Sequence, residues 1–180
     1  MDIDKKIKLN ILEKTLFSVI FLFGMIWIFL IPPFQKPDEN AHYFRAISVS
    51  RGEFTCSMGD SEDSFEIENS YYKFMKELEV HRVAFHYEEK VRFSDILNMR
   101  NFNSQQEDVF NFEGFCNLPA FPYIFFIVPV LLGNIFNSYL LGFFLCRLFA
   151  FFLFFSCLLW SYKKISDTRF KWVLLFFALT

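Results

Sequence analysis

TLFSVIFLFGMIWIFLIPPF, Thr15 to Phe34, is a 20-residue run without a charged side chain. About 20 apolar residues are needed to cross the hydrocarbon core of a bilayer, so the run reads as a membrane-spanning helix. A signal peptide is the alternative. The length of the run, and the Ile31-Pro32-Pro33-Phe34 that closes it in place of a small-residue cleavage site, favour an anchor. Lys5, Lys6, Lys8 and Lys14 precede the span. The bias of basic residues toward the cytoplasmic side then places the N-terminus inside and residue 36 onward outside. The chain is therefore expected to be an α-helical integral membrane protein. Its 29 phenylalanines read mostly as lipid-facing bulk.

Outward from this span, Lys36 to Leu118 is polar, with nine Lys or Arg against sixteen Asp or Glu. An acidic surface of this kind argues against nucleic acid as a partner. A segment of this length is expected to be functional and partly ordered. Tyr71, Phe74, Met75 and Leu78 recur at helical spacing, which predicts one amphipathic surface helix packed on the loop or the bilayer surface. Cys56 and Cys116 lie near the two ends of this loop, where an oxidising exterior permits a disulfide. Cys146 and Cys157 lie in the second span and read as small apolar packing.

Two apolar stretches follow, Phe121 to Phe136 and Ser138 to Tyr162. Lys163, Lys164, Arg169 and Lys171 come next, and they lie inside only if one of the two stretches crosses. The shorter one, carrying Pro122 and Pro129, is read as a juxtamembrane helix, and 138–162 as the second span. The expected layout is a cytoplasmic 1–14, a span at 15–34, an outer loop at 35–120, a juxtamembrane helix at 121–136, a span at 138–162, a cytoplasmic loop at 163–171 and the start of a third span at 172–180. An apolar run that reaches Thr180 suggests the front portion of a larger multi-span protein; a gene remnant is the alternative.

The chemistry-bearing residues cluster just beyond the first span, in Pro37-Asp38-Glu39-Asn40-Ala41-His42-Tyr43-Phe44-Arg45. Pro37 suits the first turn of a helix, and acidic residues are favoured there by the helix dipole. A helix from Pro37 to Ser50 would carry Asp38, His42 and Arg45 on one face, with Glu39 in reach of His42. Caps and a hydrogen-bonding histidine explain the same pattern without function. At the depth of a lipid headgroup, however, a carboxylate can serve as general base toward an acceptor hydroxyl. It can also hold Mg²⁺ or Mn²⁺. Arg45 suits a phosphate. Arg147, about 13 Å into the second span by helical rise, either binds a lipid-linked phosphate or pairs with a carboxylate on a helix outside this sequence. Asp38-Glu39-Asn40-Ala41-His42 is one residue from the His-Glu-x-x-His zinc motif, with Asp as first ligand and no clear third ligand, so a membrane metalloprotease is a minor alternative; His81 and His86 read as surface residues. Asp60, Glu62, Asp63, Glu66 and Glu68 read as a solvated acidic face, or as a second source of metal ligands.

Pro32-Pro33-Phe34-Gln35-Lys36-Pro37-Asp38-Glu39, then His42, Phe44-Arg45-Ala46 and Ser50-x-Gly52, resembles the opening of the bacterial membrane-protein family known as domain of unknown function 2142. Leu118-Pro119-Ala120-Phe121-Pro122-Tyr123, followed by Pro129, Gly133 and Arg147-Leu148, resembles its juxtamembrane helix and second span. That family is similar to the GT-C glycosyltransferases. The resemblance covers both ends of the outer loop and departs at Ala120-Phe121-Pro122, where Tyr-Pro-Pro is typical. It implies a multi-pass protein of the bacterial inner or plasma membrane that transfers sugar from a polyprenyl-phosphate donor on the outer face. Asp38 and Glu39 would be the catalytic carboxylates, Asp38 a possible metal ligand, and His42, Arg45 and Arg147 substrate-binding residues. A non-catalytic subunit that binds lipid-linked glycan is the alternative.

The layout predicts that a cysteine at Ser138, with the native cysteines replaced, is labelled by a membrane-impermeant maleimide from outside. Protection there, with labelling at Ser166 instead, would invert the layout.

Overall fold

The computed structural model describes residues 10–36, 38–55, 64–68, 94, 109–113 and 118–179. The expected amphipathic helix at Tyr71–Leu78, Cys56, Cys116, Asp60, Glu62, Asp63, His81 and His86 lie outside these residues. The chain divides into two compact units, one of Met1–Leu30 with Leu148–Thr180, the other of Ile31–Arg147.

Helix α1 runs Ile11–Leu30, four residues earlier than the charge-free run suggests. A reciprocal capping box sets its start. The Asn10 side chain accepts from the Glu13 N–H at 2.8 Å, and the Glu13 carboxylate accepts from the Asn10 N–H at 2.8 Å. Its end is set by Pro32 and Pro33, since the residue before a proline avoids helical backbone. At 1.5 Å per residue the helix is about 30 Å long.

Tyr139–Lys164 forms the long helix α4 and Thr168–Leu179 forms α5, with α2 and α3 described below. Ser138 caps α4 by accepting from the Leu141 N–H at 3.2 Å. Asp167 caps α5 by accepting from the Arg169 N–H at 2.8 Å. Helix α5 therefore claims part of the expected cytoplasmic loop at 163–171. In the first unit α1, the later part of α4 and α5 share a core of Phe17, Ile20, Leu158, Tyr162 and Leu175. Phe17 meets Tyr162 edge-to-face at 5.1 Å. Helices α1 and α4 are each long and apolar enough to cross a membrane, and most of their side chains face outward.

In the second unit, helix α2, Glu39–Ser50, is the hub. Every residue from Tyr43 to Val49 is buried, Arg45 and Ser48 included. It packs against a 3-10 helix at Phe121–Phe126 and against α3, Ile127–Ile135. These two elements cover residues 121–135, the stretch expected to be helical at 121–136. Gly52, at φ 89°, ends α2 in a Schellman turn. The Glu53 N–H returns to the Ser48 carbonyl at 3.1 Å, and the Gly52 N–H to Val49 at 3.0 Å.

Strands β1, Ser64–Glu68, and β2, Val109–Glu113, pair antiparallel, with Phe65 opposite Phe112 and Ile67 opposite Phe110. This ribbon was not expected from the sequence. Glu66 and Glu68 belong to the acidic run, yet they alternate with Phe65 and Ile67 at the period of a strand.

Helix α3 meets the start of α4 at a pair of glycines. A Cβ on Gly133 would stand 2.5 Å from the Gly142 Cα and 2.8 Å from its backbone nitrogen. Because the obstruction is backbone, a side chain cannot be absorbed by a rotamer change. Gly133→Val is expected to cost about 1–3 kcal/mol by overpacking. It should lower the thermal midpoint of the purified protein in detergent, whereas the exposed neighbour Leu132→Ala should change it little.

Candidate functional site

Eight residues, Ile31 to Asp38, join α1 to α2. Two of these residues hold left-handed backbone, Phe34 and Asp38, each at φ 60°. A non-glycine residue there costs of order 1–2 kcal/mol and persists only where the surroundings hold it. Phe34 is held by burial. Its ring lies 4.7 Å from that of Phe143 and 6.1 Å from that of Tyr43. Its N–H donates to Glu39 Oε2 at 3.0 Å.

Glu39 is then gripped from α4. Arg147 Nε donates to Oε1 at 2.8 Å and Nη2 to Oε2 at 2.7 Å, a two-pronged ion pair. The rest of the guanidinium caps the end of α1's exit: Nη1 donates to the Ile31 carbonyl at 2.6 Å and Nη2 to Pro32 at 3.1 Å. Phe143 lies beneath it, 4.5 Å from ring centre to Cζ. Both side chains are mostly buried, at 10% and 16% exposure. Arg147 pairs with a carboxylate, but the carboxylate is Glu39 of this chain and not, as expected, one on a helix outside it. The partner lies on α2, and the contact falls where the chain leaves α1.

Arg45 is also enclosed. Its donors go to the Leu118 carbonyl at 3.0 Å, Ser48 Oγ at 3.0 Å, the Glu53 carbonyl at 3.1 Å and the Phe54 carbonyl at 2.9 Å. Burial pulls its pKa down, while Tyr123 and Glu53 act in the opposite sense. Arg45 thus ties the segment that follows α2 to Leu118, the kind of fastening that a Cys56–Cys116 bridge was expected to give.

Asp38 differs from its neighbours. The helix begins at Glu39, so Asp38 is its N-cap residue and not part of its first turn. Pro37 lies outside the described residues. The Asp38 carbonyl accepts from the His42 N–H at 3.0 Å, but the exposed carboxylate makes no capping bond. His42, one turn on, is exposed, and its Nδ1 lies 2.6 Å from the Tyr123 hydroxyl. The expected common face of Asp38, His42 and Arg45 therefore divides. Asp38 and His42 face outward, and Arg45 points into the core. Asp38 and His42 are the two predicted site residues open to a substrate, while Glu39, Arg45 and Arg147 are occupied by protein partners.

Tyr123 is the residue sequence reasoning missed. Its backbone N–H closes on the Ala120 carbonyl at 2.9 Å in the first turn of the 3-10 helix. Burial raises its pKa and Arg45 opposes the rise. The signal available was its place directly after Pro122. Among the described residues no three His, Cys, Asp or Glu side chains converge. Glu39 is paired with Arg147, and Asp60, Glu62 and Asp63, the other expected source of metal ligands, lie outside the described residues. The first ligand of a zinc-protease motif is a lone carboxylate here.

Replacement of Arg147 leaves the Glu39 carboxylate largely buried without its cation. Arg147→Ala is expected to cost about 3 kcal/mol. Arg147→Lys should recover less than half of that, because a lysine cannot make both prongs and cap two carbonyls. Thermal unfolding of purified variants checks both.

The model of the family described as "Predicted membrane protein (DUF2142)" matches residues 21–180. The chain belongs to that family. No curated protein and no solved structure matches it.

Proposed function

We propose that this DUF2142 member carries the acceptor-activating part of a membrane glycosyltransferase that uses a polyprenyl-phosphate sugar donor in the cell envelope. Its resemblance to the GT-C enzymes supplies the reaction class. The observation that carries the assignment to a residue is Asp38: an exposed carboxylate with no hydrogen-bond partner among the described residues, on left-handed backbone, directly before a helix buried from Tyr43 to Val49. Strained backbone of this kind is retained where surroundings over-determine it, and it clusters at functional positions.

In this reading Asp38 accepts the proton of an acceptor hydroxyl. The hydroxyl oxygen bonds to the anomeric carbon as the bond from that carbon to the phosphate oxygen breaks. The electron pair leaves with the polyprenyl phosphate. Glu39 does not share the proton. Bound to Arg147 and the Phe34 N–H, it sets the position of its neighbour, which is the kind of rigid placement general-base catalysis needs. The positive-inside count puts this site on the outer face of the inner or plasma membrane, with the N-terminus cytoplasmic.

A second reading, binding and presentation of a lipid-linked glycan without turnover, is favoured by one observation. Arg45 and Arg147, the two arginines expected to meet the substrate, are spent on protein acceptors.

Asp38→Asn removes the base and keeps the shape. In cells expressing the variant at wild-type level, transfer to the surface glycan should fall by at least about 100-fold, the ordinary worth of a general base. Unchanged glycan would end the catalytic assignment. Photo-crosslinking to a polyprenyl-phosphate probe with no transfer by the wild type would favour the second reading.

A further inference from the structure

We propose that Tyr123 is a positioning residue that locks His42 in one tautomer, so that its outward Nε2–H donates to a phosphate oxygen of a prenyl-phosphate ligand. The inference rests on the reading above and names the group that meets the phosphate.

Three observations carry it. The Tyr123 side chain is buried, 7% exposed, and its described hydrogen-bond partner is His42 Nδ1 at 2.6 Å. A buried hydroxyl hydrogen without an acceptor is costly, so the phenol donates and Nδ1 accepts. A neutral imidazole that accepts at Nδ1 carries its own hydrogen on Nε2. The rings are also nearly parallel, at 24° with centroids 6.0 Å apart, which fixes the imidazole plane as well as its tautomer. His42 is exposed, and Nε2 has no partner among the described residues. It therefore presents a fixed donor one helical turn from the free Asp38 carboxylate.

The burial that raises the Tyr123 pKa keeps the phenol protonated around neutral pH, as the lock requires. Lys36 is exposed two residues before Asp38; with Arg45 and Arg147 occupied, His42 is the donor whose direction toward an anionic oxygen a buried partner fixes. A leaving prenyl phosphate develops its charge on such an oxygen, where a preplaced N–H is most effective.

The test uses the whole chain in lipid nanodiscs, labelled with ¹⁵N-histidine. Three histidines are present, His42, His81 and His86, so His81→Gln/His86→Gln isolates the signal. The expected spectrum has a pyridine-type Nδ1 and a protonated Nε2 for the neutral ring, and Tyr123→Phe should turn this into a tautomer mixture. Farnesyl phosphate should shift the Nε2 resonance. Its affinity should fall about tenfold in His42→Asn, the worth of one hydrogen bond to a charged group. His42→Gln places an N–H near the Nε2 position and should stay within about threefold of wild type.

A protonated Nδ1, or mixed tautomers in the wild type, would overturn the lock. Equal binding by His42→Gln and His42→Asn, or an equal shift from inorganic phosphate or from phosphatidylglycerol discs alone, would overturn the prenyl-phosphate assignment. Should Tyr123→Phe fail to fold, the wild-type tautomer and the two His42 variants decide the matter. These results are separable from the enzyme reading. A locked, farnesyl phosphate-responsive His42 beside an Asp38→Asn variant that still transfers sugar would sink catalysis and keep the ligand site.

Discussion

The ion pair between Glu39 and Arg147 is the constraint on which the second unit depends. It joins residues 108 apart in sequence. One guanidinium binds a carboxylate with two prongs and stops the carbonyls of Ile31 and Pro32, where α1 has ended and no helical donor remains. The same carboxylate receives the Phe34 N–H and holds the left-handed turn before α2. Charges removed from water are expensive, and a pair of this kind is favourable only when its other hydrogen-bonding sites are also filled. Here they are: two backbone carbonyls, one backbone N–H and an aromatic face complete the set.

Once that turn is fixed, α2 enters the core at a defined angle and the rest follows. Seven consecutive buried residues, Tyr43 to Val49, mean that α2 is covered nearly all round, by the 3-10 helix, by α3 and by the start of α4. Tyr43 reaches the Tyr139 carbonyl at 2.9 Å, close to the Gly133–Gly142 contact that lets α3 and α4 approach. Arg45 ties the helix to its own Schellman turn and to Leu118. What stays outside is small. Asp38 sits at the strained entrance and His42 one turn later, held from behind by Tyr123. The scaffold leaves the Asp38 carboxylate and the His42 imidazole exposed, along with Lys36 and Arg51.

The outline of this arrangement was legible in the sequence. A charge-free run of bilayer length, a basic flank and a second long apolar run lead to two helices able to span, and the Pro-rich motifs led to the family. The acidic motif next to the first span was equally visible. The division of labour within it was not. Asp38 and Glu39 are adjacent and chemically alike, and only the position of Arg147 separates them, a contact that sequence spacing does not encode. Arg45 read as a phosphate ligand because a buried arginine satisfied by four acceptors looks, in sequence, like any other arginine. The ribbon of β1 and β2 was hidden because glutamates alternating with Phe65 and Ile67 read as an acidic run. Helix α1 began earlier than its charge-free core because the capping box of Asn10 and Glu13 uses a charged residue inside the helix.

A double-mutant cycle on Glu39→Gln and Arg147→Met, read by thermal or denaturant unfolding of the purified protein, tests the central claim most directly. The account predicts a coupling energy of at least about 1.5 kcal/mol, with the double variant more stable than the sum of the single losses allows. Additive losses, with coupling indistinguishable from zero, would contradict it.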